Sequence, residues 1–233
     1  MKNIIVTSGG TEEYIDDVRV LTNISTGKLG VEIACALGNI NNVHIHYIHS
    51  RNAVKPQCFG KIITCTEVRT ANDALETIKK IMTENQIDAV VHAMAVSDFT
   101  FKKDKSVKLK SNDAEGFIDY MRSTITKNPK IISYIKKWNP KTILVGFKFE
   151  VGTSVDELIK LSKKSIKDND CDLIIANDKI EMQKVGKHIA HFVYADQIKD
   201  NSEQPEVTVI GKDNIAYFIS YFLKIKLNIK DDI

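Results

Sequence analysis

The stretch VRVLTNISTGKLG, from Val18 to Gly30, sets Arg19, Asn23, Ser25, Thr26, Gly27 and Lys28 directly before a helical pattern. A helix mouth offers free N–H donors and a partial positive charge, which suits an anion. Ser25 or Thr26 would equally serve as an N-cap, and Arg19 as the partner of Asp16 or Asp17. Asn23 is less easily explained by structure alone, because a side-chain amide at a helix mouth can stabilise a developing oxyanion. Three other stretches collect polar chemistry. TSGGTEEYIDD carries Gly9 and Gly10 after a strand, where a tight turn can aim N–H groups at an anion; its plain alternative is a turn without a ligand. In HAMAVSDF, Ala93 to Asp98 put small residues and then a carboxylate at the end of a buried strand, open to a planar ring or a cation, or simply to a loop cap. KKDKSVKLKS carries five lysines, with Lys108 and Lys110 at strand spacing. They would either close over a triphosphate or be a solvated surface.

The elements that must position these groups follow from periodicity. Apolar runs at 3–8, 42–50, 61–67, 88–96, 142–150 and 172–178 read as strands. Several are apolar at successive positions, as in strands covered on both faces. Amphipathic stretches at 27–40, 70–85, 128–138 and 154–169 read as helices, with Asp73 and Asp156 as early-turn carboxylates and Pro129 in a first turn. Alternation of the two predicts an α/β fold with a mainly parallel sheet flanked by helices and ligands at the carboxyl ends of the strands. The tail reads as a C-terminal β-hairpin (188–196 and 205–211) and a closing helix (212–228). The polar stretch 100–128 has no core-facing period and is expected to be a mobile lid.

The 233-residue chain is 43% hydrophobic and 27% charged, with a net charge of +3. One domain is expected over 1–233, and no global charge recruits nucleic acid or a membrane. Four cysteines without ligand spacing are expected to be reduced thiols. A strand directly after Met1 and the lack of a long apolar run lead to an expectation of no signal peptide, no membrane span and a cytoplasmic protein.

In order, VTSGGTEEYIDDVRVLTNISTGKLG, AMAVSDF, KLKS, NPKII, VGFKFE and DLIIAND resemble the phosphopantothenate–cysteine ligase family of coenzyme A biosynthesis across nearly the whole chain. With no decarboxylase segment in the sequence, the likeness is to the stand-alone bacterial form. The resemblance implies a Rossmann-like fold, a homodimer, Mg2+ with ligands not singled out in this sequence, and CTP, or ATP, as co-substrate. It also implies 4'-phosphopantothenate and cysteine as small-molecule substrates and an acyl-nucleotidyl intermediate, with pyrophosphate and CMP released.

By position within the family motifs, Asn23 would contact the acyl-nucleotide, Arg19 would support its loop and Lys108 would belong to the lid. Ser25, Thr26 and Gly27 would meet substrate. Gly9, Gly10, Ala93, Met94, Asp98, Lys108, Pro129, Lys130, Ile131, Ile132, Phe147, and Lys164 or Lys167, would bind nucleotide. Two departures stand out. His92-Ala93-Met94-Ala95 replaces a run of smaller residues, and KLKS has one lysine fewer than the family's lid motif. An NAD(P)-linked oxidoreductase would want a tighter glycine fingerprint and a Tyr-x-x-x-Lys pair, which the sequence lacks. A non-catalytic nucleotide-binding subunit would leave Asn23 without a role.

Overall fold

The computed structural model describes residues 1–57, 63–102, 108–110, 112–199 and 207–230, with the side chains of residues 197 and 199 also left out. The chain runs β1 (Lys2–Ser8), β2 (Glu12–Tyr14), β3 (Val20–Thr22), α1 (Lys28–Gly38), β4 (Val43–Ser50), β5 (Ile63–Val68) and α2 (Ala71–Glu84). It continues through β6 (Ala89–His92), β7 (Phe99–Phe101), α3 (Ala114–Thr124), β8 (Ile125–Lys127), α4 (Ile132–Trp138), β9 (Ile143–Glu150) and α5 (Val155–Asn169). It ends with β10 (Leu173–Asp178), α6 (Lys179–Val185), β11 (Ile189–Tyr194), α7 (Ala195–Lys199), β12 (Val207–Ile210) and α8 (Lys212–Lys226).

Eight strands form one sheet in the order β12-β11-β10-β9-β6-β1-β4-β5. The six from β10 to β5 are parallel, and β11 and β12 add an antiparallel edge. The expected α/β architecture with its terminal hairpin and helix is therefore present. β6 and β10 are buried at every position, the polar His92, Asn177 and Asp178 at their carboxyl ends included. On one face Ile33 and Leu37 of α1 pack with Ile215, Ile219 and Leu223 of α8. On the other, Ile78 of α2, Ile135 of α4 and Ile159 of α5 cover Ile5, Val90 and Ile174. From β1 the chain winds first toward β4 and β5 and then back through β6 to β9. The carboxyl ends of β1 and β6 thus lie at the point where strand order reverses, the usual crevice for a ligand.

Three expectations need correction. The region 100–128 is not irregular throughout. It contains α3 and pairs β7 with β8 as an antiparallel ribbon, Phe99 opposite Lys127. Helix α3 escaped the periodicity because none of its residues is buried. Lys103 and Lys105 of the predicted lid lie outside the described residues. The second correction concerns β2 and β3, which pair as a hairpin in a stretch read as loop. Its buried residues include Glu12 and Glu13, charged positions that apolar patterning skips. Glu12 is held by Arg69 and Asn52, and Glu13 accepts the first N–H of α2 from Ala71 at 2.7 Å. Finally, Cys35 is disulfide-bonded rather than reduced, whereas Cys65 and Cys171 are free.

Candidate functional site

Helix α1 begins without help from its hydroxyls. Its N-cap is Gly27 at φ 72°, no side chain caps it, and its first turn holds no acid. Ser25 and Thr26 are thus not the cap, and the first N–H groups remain available to an anion, with Lys28 beside them. Only a residue without Cβ fits at position 27. The left-handed φ disfavours a side chain, and a Cβ would come within 2.7 Å of Ser8 Oγ. Gly9 (φ 86°) and Gly10 form the turn after β1. That turn is stitched to the loop after β6 by Ala95 N–H donating to Gly9 O at 2.8 Å and Thr11 N–H to Ala95 O at 3.2 Å. A Cβ on Gly10 would fall against the carbonyl oxygen of Asn23, so this glycine also lets the Asn23 loop lie flat on the turn.

Asn23 ties the loop before α1 to the loop after β6. Its Nδ2 donates to Val96 O at 3.1 Å and, more weakly, to Ala95 O at 3.4 Å. Val96 in turn lines a cavity of about 750 Å³ beneath the carboxyl ends of β6 and β9. Met94, Asp98, Pro129, Lys130, Ile131, Ile132, Phe147 and Lys164 line this cavity, so eight residues expected to bind nucleotide converge there. Ala93, just past the end of β6, is not among the residues that line it. Lys167 lies on an adjoining groove along α5 with Lys160 and Lys163, and Lys164 is shared by both. Of the two lysines left open by the sequence, the cavity therefore takes Lys164. Asn128 anchors the cavity mouth, donating from Nδ2 to Ser97 O at 2.9 Å and from its backbone to Asp98 O at 2.9 Å. Lys127 and Lys148, not singled out in the sequence, also line the cavity, Lys148 paired with Glu150 at 2.7 Å.

Arg19 and Lys108 meet through a residue the sequence offered only as a possible partner of Arg19. Asp16 is fully buried. One of its carboxylate oxygens accepts from Val18 N and Arg19 N at 2.9 and 2.7 Å. The other accepts Arg19 Nη1 at 2.6 Å and Leu109 N at 3.1 Å. Arg19 Nη1 also donates to Leu109 O at 3.3 Å, and its guanidinium lies over the Phe117 ring of α3. Burial works to raise the Asp16 carboxyl, but the N–H donors of Val18, Leu109 and Arg19 and the Arg19 charge outweigh it and hold it below its ordinary value. Lys108 and Lys110 are exposed and Leu109 between them is half-buried, on a tether without strand structure, so the expected strand spacing does not apply.

A crevice at a reversal of strand order, with an uncapped helix mouth on one side and a lysine-lined cavity on the other, defines a Rossmann-like α/β protein. Residues 1–224 match the family model described as the DNA/pantothenate metabolism flavoprotein C-terminal domain, and the chain belongs to that family. It is 34% identical over 212 residues to the coenzyme A biosynthesis bifunctional protein CoaBC of Thermococcus kodakarensis, a match covering 91% of this chain and 45% of that protein. Against the CoaBC of Methanocaldococcus jannaschii the identity is 29%, covering 75% of this chain and 40% of the relative. The chain thus spans less than half the length of these curated relatives. The crystal structure of the DNA/pantothenate metabolism flavoprotein from Streptococcus pneumoniae superposes with a TM-score of 0.78 at 30% identity, covering 97% of this chain and 99% of that one.

Proposed function

We propose that this protein is a phosphopantothenate–cysteine ligase that works through an acyl-nucleotidyl intermediate, with CTP as the favoured co-substrate. The observation that carries this reading is the bridge made by Asn23 between the helix mouth and the cavity. It puts an amide donor between a place for a phosphate-bearing acyl group and a place for a nucleotide. The kinship with CoaBC proteins supports the same reaction.

In the first half-reaction the carboxylate of 4'-phosphopantothenate attacks the α-phosphate, and pyrophosphate leaves. The two anions repel, so cations must screen them while they are held in line. Lys130 and Lys164 at the cavity and Lys108 on its tether serve this purpose. In the second half-reaction the cysteine amine attacks the acyl carbon, loses a proton and expels CMP. The weak 3.4 Å contact of Asn23 to Ala95 O leaves one of its N–H groups free to turn to the acyl oxygen as charge develops there. The open N–H groups of α1 receive a phosphate on substrate.

Mg2+ would find few protein ligands in this cavity, with Asp98 or Asp168 as the residues that would hold it. Among the described residues no three acidic, histidine or cysteine side chains gather to hold a metal, and Asp98 and Asp168 are the carboxylates lining the cavity. An ion held by one carboxylate, waters and phosphate oxygens matches the habit of Mg2+. When bound it would offset phosphate charge. The protein is also read as a homodimer, because Val18, Leu21 and Ile24 of the β3 region and Phe99, Ile118 and Ile125 of the β7–α3–β8 region all expose apolar side chains.

The test is incubation with 4'-phosphopantothenate, cysteine, Mg2+ and either CTP or ATP, following pyrophosphate. Release that requires phosphopantothenate, and is faster with CTP, is expected; release indifferent to phosphopantothenate would reject the ligase.

A further inference from the structure

The end of β6 carries an imidazole that the chemistry above leaves unused. His92 is 8% exposed and lines the cavity. Its Nδ1 lies 3.0 Å from Thr7 Oγ1, and the same hydroxyl oxygen accepts Met94 N–H at 3.1 Å. A hydroxyl has a single proton to give. Thr7 is fully buried, and among the described residues its hydroxyl proton has no hydrogen-bond acceptor but His92 Nδ1, so that proton goes to the ring. The neutral ring is thereby fixed as the tautomer with hydrogen on Nε2.

Burial pushes the His92 pKa down to about 4, so the ring is uncharged at physiological pH and is not one of the groups that meet phosphate. Among the described residues Nε2 has no hydrogen-bond partner. Met94, Ile131, Ile132 and Phe147 give the cavity that His92 lines its apolar surface, and Lys127, Lys130 and Lys164 line the same cavity. Lysines suit the charged end of a ligand, and an apolar wall with one neutral donor suits a flat heterocycle bearing an acceptor. A ligand that covers this donor without offering an acceptor incurs a cost, which makes such a group selective.

We propose that His92 is a specificity-determining residue whose Nε2–H donates to an acceptor on the edge of the nucleobase, with Thr7 fixing which ring nitrogen carries the proton. The inference rests on the cavity holding a nucleotide, and it is tested by binding rather than turnover, so that it and the ligase reading fail separately. Calorimetric titration with CTP and with inorganic tripolyphosphate, in the presence of Mg2+, is run on the wild type, His92→Phe and His92→Gln. His92→Phe keeps a flat ring but removes the donor, and should weaken CTP about tenfold or more while leaving tripolyphosphate unchanged. His92→Gln, which retains an N–H, should recover part of the loss. On the unmodified protein, nitrogen-15 NMR should find the His92 proton on Nε2 and see that signal move when CTP is added. CTP affinity unchanged in His92→Phe, an equal loss of tripolyphosphate, or a proton on Nδ1 would overturn the inference. A wild type that binds CTP no better than tripolyphosphate would overturn it too. The predicted binding pattern without phosphopantothenate-dependent turnover would uphold His92 as base reader and reject only the ligase.

Discussion

In the proposed reaction Asn23 is the residue on which the chemistry turns. Asn23→Asp replaces both N–H donors with a carboxylate facing the carbonyls of Val96 and Ala95 and any acyl oxygen beside them. Loss of an oxyanion donor costs roughly 100- to 1,000-fold in rate. Formation of phosphopantothenoylcysteine should fall at least that far while pyrophosphate release persists, as quenched-flow separation of the two half-reactions would record. Near-normal product would remove Asn23 from the mechanism. His92 makes a second prediction at this scale. A histidine whose folded value is depressed from 6.5 to about 4 stabilises the fold fully above the unfolded value. That contribution is lost as pH falls from about 6.5 toward 4. The thermal midpoint of the wild type should therefore drop across this window, and the slope should be shallower in His92→Phe. Asn23 was singled out in the sequence by its place before a helix, and Asp98 by its place after a buried strand and within the family motif. Asp16 was not, because a carboxylate near an arginine looks like a surface ion pair until Leu109, far along the chain, arrives to share it.

At the scale of elements, the hairpin of β2 and β3 is the platform for the lysine tether. Asp16→Asn separates its two tasks. The amide oxygen can still accept Val18 and Arg19 N–H and keep the turn, but its NH2 faces the Leu109 N–H and the Arg19 guanidinium, donor against donor. The variant should fold, release the Lys108–Lys110 segment to trypsin several-fold faster, and raise the nucleotide KM more than it lowers kcat. Unchanged cleavage and kinetics would leave Asp16 a local turn residue. Strands β1, β4, β9 and β10 and helices α1, α2, α5 and α8 could be read from the sequence because burial on two faces, or on one, imprints a period. The three-residue strands could not. β3 is exposed along its length, and β2 buries glutamates whose partners Arg69 and Ala71 lie beyond β5.

For the whole molecule, the order of the sheet explains why separate sequence motifs converge. The reversal between β1 and β6 gathers the Gly9–Gly10 turn, the Asn23 loop and the Met94–Asp98 segment at one edge. The apolar side chains around β3 and α3 belong to this scale as well. Ile24, whose side chain is fully exposed, has no reason to be apolar in an isolated copy. Ile24→Asp together with Leu21→Asp should shift the mass measured by light scattering from dimer to monomer without lowering the thermal midpoint of the single copy. A monomeric wild type would reject the dimer and leave the cavity chemistry untouched.

The most direct measurement of the central claim omits cysteine. If the carboxylate of 4'-phosphopantothenate attacks the α-phosphate of CTP before any amine enters, labelled pyrophosphate should exchange into CTP in the presence of phosphopantothenate and Mg2+ alone. Exchange should vanish without phosphopantothenate and weaken in Lys108→Gln. Exchange that needs cysteine, or that proceeds without phosphopantothenate, would contradict the account.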